Sequence, residues 1–201
     1  MCDQIEATRF IEEETAMYRV TLPDGVHPLS HVIDRLGSDA LLSARQQLLK
    51  VVYEAPGSGL TPREREAIRI PTAQNIGCNT CMAVRLWRDM PGFSAEIEEA
   101  FYQNAMDRQL DWAGFSQRES FLVEFSDRFE NDHQQMNSDD AFWDRAHALF
   151  SETEIGDALI LVSTFGGTGH TLNVLGIGSV CEVPTPEGLR QLAEERLAVR
   201  V

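Results

Sequence analysis

The stretch LTPREREAIRIPTAQNIGCNTC, residues 60–81, decides how the chain is read. Thr61-Pro62-Arg63-Glu64 is a helix start: Thr61 as N-cap, proline at the first helical position, and Glu64 closing a capping box. Pro71 lies inside the helix expected over 62–76, where a missing N–H should kink or end it. Gly77 suits the left-handed residue that closes a helix, so Cys78 falls at the start of the next one. Unpaired N–H groups and the positive end of the helix dipole favour a thiolate there. Cys81 is three residues on and Arg85 four more, so a continuous helix over 79–89 puts both sulfurs and a guanidinium on one face. The thiolate, not the thiol, attacks peroxides and disulfides.

Working outward, the same punctuation recurs. Ser116-Gln117-Arg118-Glu119 and Ser151-Glu152-Thr153-Glu154 are further capping boxes, and Thr185-Pro186-Glu187 opens a last helix in the same style. Apolar residues follow helical spacing, as in Phe121, Leu122, Phe125 and Phe129, or Ile155, Leu159 and Val162. Alternating strand patterns of useful length are absent; Val20-Thr21-Leu22 is a short extended segment at best. The expected helices are 3–18, 39–55, 62–76, 79–89, 94–105, 117–132, 139–150, 153–175 and 186–199, with a loop over 19–37 and His133 in a loop after a helix. Gly166, Gly167 and Gly169 interrupt the long apolar helix, which points to close packing, including at a subunit contact. The fold class is all-α, and with no low-complexity linker and no internal repeat the expectation is one domain over 1–201.

Composition bounds the function. A net charge of −15 argues against nucleic acid and anionic membrane, both polyanions that need clustered Lys and Arg. No run of about 18 apolar residues exists to span a bilayer, and the start lacks a secretory apolar region, so a cytoplasmic location is the expectation. Of the four cysteines, Cys2 and Cys181 have no partner by spacing. A structural zinc needs four ligands, and a single Cys-x-x-Cys with scattered His133, His147 and His170 does not supply them.

Glu66 precedes Cys78 by twelve residues on the preceding helix. Antiparallel packing across the Gly77 turn would let its carboxylate reach the dithiol, as proton acceptor for the resolving thiol or as ion-pair partner of Arg85. The run Leu60–Glu66 followed by Gly77-Cys78-x-x-Cys81 resembles the core of the AhpD-like / carboxymuconolactone decarboxylase superfamily, in its peroxidase-related branch. That branch has a Glu, a twelve-residue step to Cys-x-x-Cys, and a His four residues after the second Cys. Phe115–Asp127, Phe150–Leu159 and Asn173–Ile177 are similar to its downstream helices, so the resemblance covers about 38–180, with the terminal helices as extensions.

The resemblance implies an AhpD-like helical bundle assembling as homo-oligomers, trimers or multiples of them. It implies a peroxidase-type oxidoreductase that uses no metal and no organic cofactor. Cys81 would attack a small hydroperoxide and become a sulfenic acid, Cys78 would resolve it as a disulfide, and an external dithiol donor would reduce that disulfide. Glu66 would belong to the proton relay. Here Arg85 stands at the family's His position. Arginine stays protonated, so it can hold a thiolate but cannot shuttle a proton. His170 is the substitute the sequence offers, if its helix lines the same pocket. Two rival readings stand beside this one. In the first, a decarboxylase-like lyase or isomerase uses Arg85 to bind a small carboxylate or lactone and Glu66 or His170 to move protons. In the second, the dithiol is a redox switch in a non-catalytic protein.

Overall fold

The computed structural model describes residues 18–54, 57–89 and 92–177. Among them are ten helices and no strand: α1 (Pro28–Asp34), α2 (Asp39–Glu54), α3 (Pro62–Ile76), α4 (Asn79–Ala83), α5 (Leu86–Asp89), α6 (Glu99–Met106), α7 (Gln117–Asn131), α8 (His133–Met136), α9 (Asp140–Leu149) and α10 (Glu152–Val174). The expected helices 3–18 (save its last residue) and 186–199, and with them Cys2 and Cys181, lie outside the described residues.

All three capping boxes within the described residues form, at Thr61/Glu64, Ser116/Glu119 and Ser151/Glu154. Each capping glutamate is also bound by an arginine from another helix. Arg63 reaches Glu119, while Arg118 reaches both Glu64 and Glu154. The N-terminal ends of α3, α7 and α10 are thereby tied together, which fixes how these three helices start. α3 is the axis of the fold and packs chiefly against α7 and α10. Ten of its residues are buried, from Glu64 to Ala73. Its own pattern is therefore not amphipathic, as expected of a helix covered on all sides.

Pro71 does not end α3, which runs on to Ile76 with the proline buried in it. Of Gly166, Gly167 and Gly169 in α10, two act as contact points. A Cβ on Gly169 would come within 3.0 Å of Ile76 Cδ1, and one on Gly166 within 3.7 Å of Glu130, whereas Gly167 faces open space. Close packing of α10 on α3 is the outcome at Gly169, while Gly166 lies in ordinary contact range of Glu130 on α7 and Thr72 on α3.

Four sequence expectations are corrected. The loop over 19–37 contains α1, started by Pro28 at the first position and by the His27 ring, which accepts from the Leu29 N–H at 3.3 Å. The helix expected over 94–105 begins only at Glu99, because Ala95 donates to the Trp87 carbonyl at 2.9 Å and holds the preceding segment against the end of α5. His133 opens the short α8 and is not in a loop. The helix expected over 79–89 is two, for a reason that belongs to the site.

Candidate functional site

The turn between α3 and α4 is a Schellman closure. Gly77 is left-handed (φ 72°), its N–H donates to Gln74 O at 3.1 Å, and the Cys78 N–H donates to Ala73 O at 3.0 Å. That closure sets Cys78 as the N-cap of α4, where its sulfur accepts from the Cys81 N–H at 3.3 Å. The two sulfurs lie at disulfide-bonding distance, with Cα atoms 5.2 Å apart. They differ in access: Cys78 is fully buried and Cys81 only partly. Cys78 packs with Val32 of α1, Leu172 of α10 and Ile177, and Cys81 lies against that same small apolar cluster.

Behind the dithiol sits a fully buried carboxylate, Glu66. Its Oε2 accepts from Arg69 Nε at 2.7 Å and its Oε1 from the Trp87 N–H at 3.2 Å. Burial pushes the Glu66 carboxyl above its ordinary value, while Arg69, the Trp87 amide and the charge of Arg85 pull the other way. Glu66 therefore meets the dithiol segment through Arg69. The Arg69 guanidinium donates to the carbonyls of Cys81 and Val84, each at 2.5 Å. A helix continuing past Ala83 would have used the Cys81 carbonyl for the Arg85 N–H. Arg69 takes that acceptor, Val84 turns extended (ψ 131°), and α4 and α5 separate.

The break relocates Arg85. It bonds Glu99 of α6 through Nε at 3.2 Å and Nη2 at 2.5 Å, donates to the Met82 carbonyl, and lies 4.3 Å over the Tyr102 ring. The Tyr102 hydroxyl and the Thr80 hydroxyl between the two cysteines are buried, with no hydrogen-bond partner among the described residues. Burial raises the Tyr102 phenol above its ordinary value, with the Glu66 charge adding to the rise. His170 is brought elsewhere: it is 55% exposed and hydrogen-bonded to Glu130 of α7 at 2.6 Å, although Leu172 two residues on packs against Cys78.

Sequence reasoning passed over Arg69, Tyr102, Glu99 and the α1 residues that cover Cys78. Only Arg69 carried a signal, as a cation three residues after Glu66 on one helix. No group of three or more His, Cys, Asp or Glu arranged to hold a metal occurs among the described residues. No described helix is long and apolar enough to cross a membrane. Compared with models of protein families, with curated proteins and with solved structures, the chain matches none.

Proposed function

We propose that this protein is a thiol-dependent, peroxidase-like oxidoreductase of the AhpD-like kind, working through the dithiol Cys78/Cys81. The observation that carries the reading is the sulfur pair at disulfide-bonding distance across the first turn of α4, one sulfur buried and the other partly open. The difference in access supports a division of roles. Cys81 meets the substrate, and Cys78, held against Val32 and Leu172, resolves.

The Cys81 thiolate attacks one oxygen of a small hydroperoxide. The O–O bond breaks, Cys81 becomes a sulfenic acid, and the departing alkoxide takes a proton and leaves as an alcohol. The Cys78 thiolate then attacks the Cys81 sulfur, the S–S bond forms, and hydroxide leaves as water with a second proton. An external dithiol returns two electrons by thiol–disulfide exchange and is itself oxidised. Glu66 acts through Arg69, which holds the Cys81 carbonyl and so orients the nucleophile's backbone. A lyase that grips an anion with Arg85 is less well supported, because Glu99 already occupies that guanidinium.

The test is peroxide turnover with dithiothreitol as donor. The wild type should consume tert-butyl hydroperoxide catalytically, and Cys81→Ser should abolish this. Cys78→Ser should still form a sulfenic acid that dimedone traps. Full turnover by Cys81→Ser, or none by the wild type, overturns the reading.

A further inference from the structure

Tyr102 is fully buried in the main core, and its hydroxyl has no hydrogen-bond partner among the described residues. A buried hydroxyl without a partner is costly, and the neighbouring Phe101, equally buried, has the same ring without one. The ring is held in place. Arg85 and Arg88 lie over it, 4.3 and 5.3 Å from its centroid, and Glu99, one turn earlier on α6, binds both guanidinia. Between those two arginines, Trp87 gives its N–H to Glu66 Oε1 at 3.2 Å. One turn of chain, residues 85–88, therefore covers the phenol and holds the Glu66 carboxylate.

The two groups complement each other. Each oxygen of the Glu66 carboxylate has one hydrogen bond on it, from Arg69 or from Trp87, and can accept another. The Tyr102 phenol is held above its ordinary range, by burial first and then by the Glu66 charge, so it keeps its proton and stands toward that carboxylate as a donor. The remaining groups that face Glu66 are cations and a backbone donor: Arg69 from its own helix, Arg85 and the Trp87 N–H from the α5 side. The Cys81 carbonyl of α4 reaches it through Arg69. Arg118 and Glu119 of α7 and Glu154 of α10 are engaged at the N-terminal end of α3. Tyr102 and Glu66 are not in direct hydrogen-bond contact. A gap between a buried donor and a buried carboxylate is a setting in which proteins hold an ordered water. We infer that Tyr102 is a positioning residue: through one buried water its hydroxyl gives a third hydrogen bond to the Glu66 carboxylate, and it thereby joins the chain from Glu66 through Arg69 to Cys81 that fixes the end of α4. The water site stands apart from the redox reading; only its effect on the dithiol rests on that reading.

Infrared titration of the full chain tests it, with the Glu66 carboxyl band identified as the one that Glu66→Gln removes. Tyr102→Phe, which deletes the hydroxyl alone, should lower the acid dissociation constant of Glu66 on the order of tenfold, moving its titration to higher pH. A crystal structure of the wild type should show one solvent oxygen within hydrogen-bond reach of both Tyr102 Oη and Glu66. With tert-butyl hydroperoxide and dithiothreitol, the acid limb of turnover in Tyr102→Phe should move to higher pH together with the Glu66 titration. A role in packing alone would lower the melting temperature and leave both titrations in place, which overturns the inference. A wild-type structure with no solvent oxygen there also overturns it, even if Tyr102→Phe fails to fold. A Glu66 titration that moves without the acid limb overturns the link to the dithiol. Absence of peroxide turnover in the wild type sinks the redox reading alone, and the infrared titration still judges Tyr102.

Discussion

Arg69 holds the carbonyl oxygen of Cys81 at 2.5 Å, and through this one bond the buried carboxylate of Glu66 controls where the dithiol helix ends. A guanidinium that bridges a carboxylate and two backbone carbonyls is a fork that lysine cannot imitate. It also explains how Glu66 is tolerated away from bulk water: both of its oxygens have partners.

Removing that fork should be costly. Arg69→Met leaves Glu66 buried and unpaired and frees the end of α4, so it should lower stability by roughly 3–5 kcal/mol in urea unfolding. The double variant Glu66→Gln/Arg69→Met should recover part of the loss, because no lone buried charge remains. Equal losses in the single and double variants would show that the pair is not coupled.

The two thiols of the reduced protein should differ in access. Cys78 is sealed among Val32, Leu172 and Ile177, so iodoacetamide followed by peptide mass spectrometry should label Cys81 first. Labelling of Cys78 at an equal or higher rate would contradict the burial and reverse the proposed roles.

Two glycines of one helix should respond with opposite signs. Gly169→Ala drives a methyl against Ile76 at 3.0 Å and should destabilise by about 1–3 kcal/mol. Gly167→Ala enters open space in a helix interior and should stabilise by about 0.5–1 kcal/mol. Thermal melts of the two variants decide it, and a shift of the same sign in both would contradict the packing of α10 on α3.

Acid should act through Glu154. The hydrogen bond from Arg118, with those from Ser151, holds its carboxyl down at about 2, against an ordinary 4.5. A carboxyl held low in the folded state contributes stability that is complete above 4.5 and is lost as pH falls through about 2. The stability gap between wild type and Glu154→Gln should therefore be widest near neutrality and close across that window, read from urea midpoints at stepped pH. A gap that does not change with pH would assign the contribution to packing.

The helices were legible wherever local chemistry determines them. Thr61/Glu64, Ser116/Glu119 and Ser151/Glu154 announce their starts in four residues each, and Gly77 announces an end, because caps satisfy backbone groups within reach of their own side chains. α1 escaped notice because a histidine ring at His27 does the capping, which composition does not flag. The sulfur pair was legible for the same reason as the caps: a spacing of three on a helix start brings Cys78 and Cys81 together whatever surrounds them.

What surrounds them was decided elsewhere. Sequence spacing set Arg85 beside Cys81, but Arg69, twelve residues earlier, captures the Cys81 carbonyl and breaks the helix, and Glu99, fourteen residues later, draws Arg85 to α6. Likewise His170 turns to Glu130 on a helix forty residues away. The sequence by itself determined an all-helical chain with a vicinal dithiol at a helix tip, since capping, periodicity and a three-residue step are local. Only the tertiary structure decided which charged groups face that dithiol. A buried guanidinium or carboxylate goes to whichever partner satisfies it best in three dimensions, and distance along the chain does not say which one that is.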